Sequence, residues 1–261
     1  MIYLKTEEDL KYIRKACEIW KKVRHELVKY VRVGISTHEL DLKAKEIIES
    51  LGAKCTFHKL YDFPGYICIS VNDQLIHGIG DEYKLCSNDL VTFDIGITYH
   101  DHVADAAFTI IVSPSDNQQA CDILKATYAS LMESIKIIKP GIHVGDIAAK
   151  TYEVAKSYGY EVIRNFAGHG CGNKVHEDPL IPNIGLPNTG VSLVPNMVIC
   201  IEPMLMTKSH AYEINHNNNW TVSSKNHKLT CHYEHMVLVT NDGYEILTKT
   251  LDENQDILLK Y

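Results

Sequence analysis

Gly34-Ile35 and Gly141-Ile142 stand 107 residues apart, and each pair is followed at equal offsets by an acid and an aliphatic residue, Glu39-Leu40 and Asp146-Ile147. Gly52 and Gly159, each closing an amphipathic run, repeat the 107-residue spacing. Asn88 and Asn196 are 108 apart, as are Asp94 and Glu202, which end the apolar runs Leu90-Val91-Thr92-Phe93 and Met197-Val198-Ile199-Cys200-Ile201. Each identity is weak alone and could be a chance register. Together they predict an internally duplicated helix-helix-strands unit whose two copies pack about a pseudo-twofold axis. No Pro/Gly/Ser linker or low-complexity stretch divides the copies, so one α/β domain over residues 1–261 is expected rather than two independent ones.

Periodicity fills in the unit. Thr6-Glu7-Glu8-Asp9 sets an N-cap hydroxyl three residues before an acid, and Leu10, Ile13, Cys17, Trp20 and Leu27 follow at helical spacing. A turn at Gly34 leads to a second capped helix carrying Leu40, Ile47, Ile48 and Leu51. Residues 66–76 and 90–112 are β-rich with short turns. The order then restarts with a long helix over 116–138, striped by Leu124, Tyr128, Leu131 and Ile135, and a second helix ending at Gly159. A β-rich remainder closes near Leu247.

With 26 Lys and Arg against 33 Asp and Glu, the formal charge of −7 argues against a nucleic-acid binder. Three acids in the first ten residues and the lack of an uncharged apolar run of about 18 residues argue against export and membrane insertion. Eight cysteines without a Cys-x-x-Cys pair read as reduced thiols, most of them packing residues, which places the protein in the cytoplasm.

Chemistry concentrates in the strands. Asp94 ends an apolar run and Asp105 lies eleven residues on, past the polar turn Tyr99-His100-Asp101-His102, so a hairpin would put both carboxylates on one face. Taken alone they could equally be separate turn or edge residues. Glu202 ends the equivalent second run, and Glu234 sits inside Cys231-His232-Tyr233-Glu234-His235-Met236, where a charge needs a partner or a metal. Gly168-His169-Gly170 offers an imidazole with room for close approach, His176 follows seven residues later, and His77 stands in Ile76-His77-Gly78.

This ordered set resembles the type I methionine aminopeptidases of the pita-bread fold, in metallopeptidase family M24. The likeness spans nearly the whole chain through Cys68-Ile69-Ser70-Val71-Asn72, His77-Gly78-Ile79, Asp94 with Asp105, Gly168-His169-Gly170, Ile201-Glu202-Pro203-Met204, Trp220-Thr221-Val222 and Tyr233-Glu234-His235. It implies a metal site on a central antiparallel sheet, with two divalent ions (Mn, Fe or Co) held by Asp94, Asp105, His169, Glu202 and Glu234. His77, His176 and Glu202 would act on the scissile bond. The implied reaction is removal of the initiator methionine from nascent proteins and peptides when the second residue is small, so Met1 before the bulky Ile2 is expected to be retained. The implied form is a monomer, with transient ribosome contact, no amino-terminal extension before the opening helix, and no nucleic-acid or membrane partner. A proline-directed peptidase of the same fold and a catalytically silent binding module are the alternatives.

The methionine pocket implied by the resemblance comprises Phe57, Leu60, Phe63, Cys68, His77, Val175, His176 and Trp220, the last expected as an exposed loop aromatic. Phe57, Leu60, Phe63 and Val175 could instead be plain core. Leu60 and Val175 replace the family's usual Tyr and Phe. Gly96, Ala104, Ala106 and His232 likewise depart from the residues that usually support the ligands, which predicts weakened metal affinity unless His232 compensates or adds a ligand.

Overall fold

In the computed structural model, which describes residues 2–251, the first unit runs α1 (Glu7–Val28), α2 (Thr37–Ser50), β1 (Lys54–Cys55), β2 (Cys68–Val71), β3 (Gln74–Ile76), β4 (Leu90–Tyr99) and β5 (His102–Ile111). The second opens with α3 (Gln118–Lys136), α4 (Val144–Ser157), β6 (Glu161–Val162), β7 (Ala167–Gly170) and β8 (Glu177–Pro182). It continues through β9 (Val198–Ile201), β10 (Met204–Met206), β11 (Tyr212–Ile214), β12 (Val222–Ser224), β13 (Thr230–His232), β14 (His235–Val239) and β15 (Tyr244–Ile246). Met1, expected above to be retained, and residues 252–261 lie outside the described residues.

The helices start where their caps dictate. Thr6 and Asp9 exchange side-chain and backbone hydrogen bonds at the head of α1, and Ser36 with Glu39 does the same for α2. α3 begins later than residue 116 because Asn117 is the N-cap, while Asp116 is held by Asn88 through a 3.0 Å hydrogen bond. Gly52 and Gly159 follow α2 and α4 with φ of 77° and 83°, a left-handed turn that glycine adopts without a Cβ penalty.

The repeat recurs in backbone hydrogen bonds. Gly34 donates to Leu85 O at 2.8 Å and Gly141 to Leu193 O at 2.9 Å, while Leu85 and Leu193 donate back to Ile35 O and Ile142 O. Isolated bridges Ser36–Lys84 and His143–Ser192 sit beside them. The duplication inferred from spacing is therefore structural.

Two antiparallel sheets carry the site. In one, β1 and β2 pair with β4, which also forms a hairpin with β5; in the other the order is β15-β14-β9-β7-β8. β4 and β9 occupy equivalent places. The sheets join where Glu234 N–H donates to Ala107 O at 2.9 Å, and the Thr109 hydroxyl ties in the separate β13-β10-β6 sheet by donating to His232 O at 2.5 Å. α1 covers the back of the β4–β5 hairpin: Trp20 lies edge-on to Phe108 at 6.1 Å and donates to Ile95 O at 3.0 Å. Burying such an aromatic contributes roughly 2–3 kcal/mol. That leaves the hairpin's other face to carry charge. Among the described residues, no helix is long and apolar enough to cross a membrane.

Candidate metal centre and cleft

The β4–β5 register pairs Asp94 with Ala107 and Gly96 with Asp105. Because side chains alternate across a strand, residues 94, 96, 105 and 107 share one face, and both carboxylates project from it as the hairpin argument predicts. Ala104 and Ala106 turn to the opposite face and are fully buried in the core, so neither position borders the Asp105 carboxylate. The expected loss of support at those two positions is thereby corrected. Gly96 has a steric reason: a Cβ there would lie 2.6 Å from the Phe57 ring.

The second unit supplies the rest. Glu202 directly follows β9, and Glu234 directly precedes β14, whose His235 pairs with Ile201. His169 lies on β7. The glycines beside it make room for neighbouring strands rather than for a ligand, since a Cβ at Gly168 would come within 2.3 Å of Cys200 O and one at Gly170 within 2.3 Å of Asp178 O. Gly168→Ala is accordingly expected to cost about 3 kcal/mol through overpacking. That corresponds to a melting temperature lower by about 6–12 °C in calorimetry, and an unchanged melt would show that β7 and β9 can part freely.

His169 Nε2 lies 3.5 Å from Glu202 Oε1 and 3.9 Å from Asp105 Oδ2. Its Nδ1–H donates to Gly170 O at 3.0 Å, which leaves the Nε2 lone pair facing the acids. Ligand atoms of Asp105, His169, Cys200 and Glu234 all fall within 4.8 Å of one another. Cys200, read from sequence as packing, was missed as a neighbour of the site. The available signal was alternation, which puts it on the same face of β9 as Glu202.

Burial pushes Asp94, Asp105, Glu202 and Glu234 above the ordinary carboxylate range, and neighbouring carboxylates add to the rise at the last three. Burial also drives His77, His169 and His232 down to about 4, which keeps them neutral. Asp94 Oδ1, Asp105 Oδ1 and Glu234 Oε1 are buried without a hydrogen-bond partner among the described residues. Buried carboxylate oxygens without partners are costly, and a cation would satisfy several at once. Four carboxylates and an imidazole suit a hard or borderline divalent ion, so the residues present fit a metal.

A cleft of about 540 Å³ opens onto these groups. Phe57, Leu60, Phe63, Cys68, His77, His176 and Trp220 line it, as do the five expected ligands. Val175 does not: Lys174 and His176 face the cleft, and the residue between them turns into the core. Trp220 is half-buried rather than exposed, edge-on to Phe63 at 5.1 Å and to His77 at 6.0 Å. His176 meets His169 edge-on at 4.6 Å. Tyr3, Tyr61, Phe166 and Met204 complete much of the wall and were not foreseen. Tyr3 is placed by its neighbour Lys5, whose buried ammonium reaches Glu177 at 2.5 Å. The polar turn after β4 behaves as read: His100 and Asp101 adopt positive φ, and His102 Nε2 lies 3.0 Å from Asp9.

Paired antiparallel sheets joined at a carboxylate-rich centre beside an aromatic cleft define a metal-dependent hydrolase of the pita-bread class. A family model described as metallopeptidase family M24 matches residues 11–241. The methionine aminopeptidase of Mycoplasma capricolum subsp. capricolum is 39% identical over 250 residues, covering 96% of this chain and 99% of that protein. The crystal structure of a methionine aminopeptidase from Thermotoga maritima superposes with a TM-score of 0.92 at 34% identity, covering 96% of this chain and 100% of that one. A prolidase from Pyrococcus furiosus reaches a TM-score of 0.78 at 25% identity; the match covers 95% of this chain but 65% of the prolidase. The chain belongs to metallopeptidase family M24 and, within it, to the methionine aminopeptidases.

Proposed function

We propose that the chain is a metalloaminopeptidase that removes the initiator methionine from nascent proteins and peptides whose second residue is small. The observation carrying this reading is the meeting of four carboxylates, Asp105 and Glu234 buried and Asp94 and Glu202 half-buried, with His169, drawn from both units, beside an aromatic cleft. Asp94, Asp105, His169, Glu202 and Glu234 would hold two divalent ions; Mn²⁺, Fe²⁺ and Co²⁺ all suit such donors. Bound there, the metal supplies Lewis acidity and a water acidic enough to attack near neutral pH.

The protein's own groups do the rest. Glu202 carries a proton towards the departing amine. His77, neutral through burial, meets the scissile amide nitrogen, and His176 donates to the carbonyl oxygen as negative charge develops there. Phe57, Leu60, Phe63, Cys68 and Trp220 surround the unbranched thioether, which gains dispersion and sulfur-aromatic contacts. Residues 1–261 act in this reading as one catalytic domain, a cytoplasmic monomer that meets nascent chains through transient ribosome contact.

With Mn²⁺, Fe²⁺ or Co²⁺ present, free methionine is expected from Met-Ala-Ser and no alanine from Ala-Pro-Ala, with His169→Ala losing more than about 100-fold in rate. Release from Ala-Pro-Ala alone would move the assignment to a proline-directed peptidase. Absence of turnover with every metal would leave a binding module.

A further inference from the structure

His232 is the one departure from the family pattern that reaches the carboxylates. It ends β13, with its backbone held by the Met204 pairing and by the Thr109 hydroxyl on its carbonyl. Its ring is buried, and neither nitrogen has a hydrogen-bond partner among the described residues. Nε2 points at Glu202 Oε2 from 3.5 Å, too far for a good hydrogen bond. His169 Nε2 stands at the same 3.5 Å from the other oxygen, Oε1. One carboxylate thus lies between two imidazoles, brought in by β7 and β13.

Two donors each about 2.1 Å from one ion sit roughly 3.0–3.4 Å apart. The separation on both sides of Glu202 is therefore close to that of ligands sharing a cation, and a nitrogen lone pair spent on metal relieves a buried imidazole with no other partner. We propose that His232 Nε2 is an additional nitrogen ligand of the centre, so that each oxygen of Glu202 is matched by an imidazole. This rests on the metal centre argued above. A second nitrogen donor favours later first-row ions, and Co²⁺ gains more than Mn²⁺.

The test uses the full chain, stripped of metal and titrated with Co²⁺ or Mn²⁺. Calorimetry gives each dissociation constant, and electron spin-echo modulation of the Mn²⁺ form counts coordinated imidazoles. The wild type is expected to show two, a result that needs no variant, and His232→Gln one. His232→Gln should also raise the Co²⁺ dissociation constant at least about 10-fold, with a smaller change for Mn²⁺. His232→Asn, too short to reach Glu202, should match it. A single imidazole in the wild type, or unchanged Co²⁺ binding in both variants, would overturn the assignment while leaving the centre standing. A wild type that takes up neither ion would overturn the centre itself, and His232 with it.

Discussion

Glu234→Gln should abolish methionine release, by more than the roughly 100-fold that loss of a residue merely supporting a ligand costs, while leaving the metal-free protein folded and at least as heat-stable as the wild type. The side chain is buried, one of its oxygens lacks a partner, and burial and neighbouring Glu202 and Asp94 hold its carboxyl far above the usual range. Glutamine keeps the shape and the backbone link to Ala107 but removes the charge that a cation needs. Replacing a carboxyl whose ionisation burial and its neighbours oppose removes that cost from the metal-free site, the usual opposition between stability and function. Steady-state release from Met-Ala-Ser, metal content and melting of the stripped protein check the three parts. A variant retaining a tenth of wild-type turnover would remove Glu234 from the centre.

Metal removal should make stability fall with rising pH above about 6.5. The buried carboxylates have raised folded-state pKa values, so beyond the unfolded value of about 4 the folded chain binds more protons and loses stability as pH rises. His77, His169 and His232 work the other way: with folded values near 4 against about 6.5 unfolded, their contribution grows with pH across that interval and then stops. Above about 6.5 the carboxylate contribution remains, joined towards pH 8.5 by buried thiols such as Cys68 and Cys200, whose raised values act in the same direction. Metal replaces those protons, so the stabilisation by a fixed Mn²⁺ concentration should widen with pH, reaching about 2.7 kcal/mol per site at 100 times the dissociation constant. Melting temperatures at pH 6.5, 7.5 and 8.5 with and without Mn²⁺ test this. A metal-free melt that rises over that range would contradict it.

Much of this was legible because it was periodic. The 107-residue offset and the capping pairs follow from spacing alone, whereas spacing left Asp94 and Asp105 open between separate edge positions and one hairpin face, and the β4–β5 register decides for the face. What escaped was set by contacts distant in sequence. Tyr3 reaches the cleft because Lys5 pairs with Glu177, and no local pattern couples residues 172 positions apart. Val175 and Cys200 turned on which way one residue faces. In β9 that orientation was readable from alternation, but the irregular stretch before β8 offered no strand period to read. The support once expected to be missing at Ala104 and Ala106 was a question of strand face that motif comparison does not ask.

The seam between the two sheets has an ancestral reading. Asp94 and Asp105 come from one copy of the repeat and Glu202 and Glu234 from the other, joined where Glu234 meets Ala107. A half-length progenitor would have carried one pair of acids, and only two such chains docked face to face could have assembled the four-carboxylate cage. In that progenitor, dimerisation and metal capture would have been a single concentration-dependent event. A tandem fusion would make the encounter intramolecular, at high effective concentration. Divergence between the copies shows in the imidazoles, since His169 and His232 both belong to the second unit.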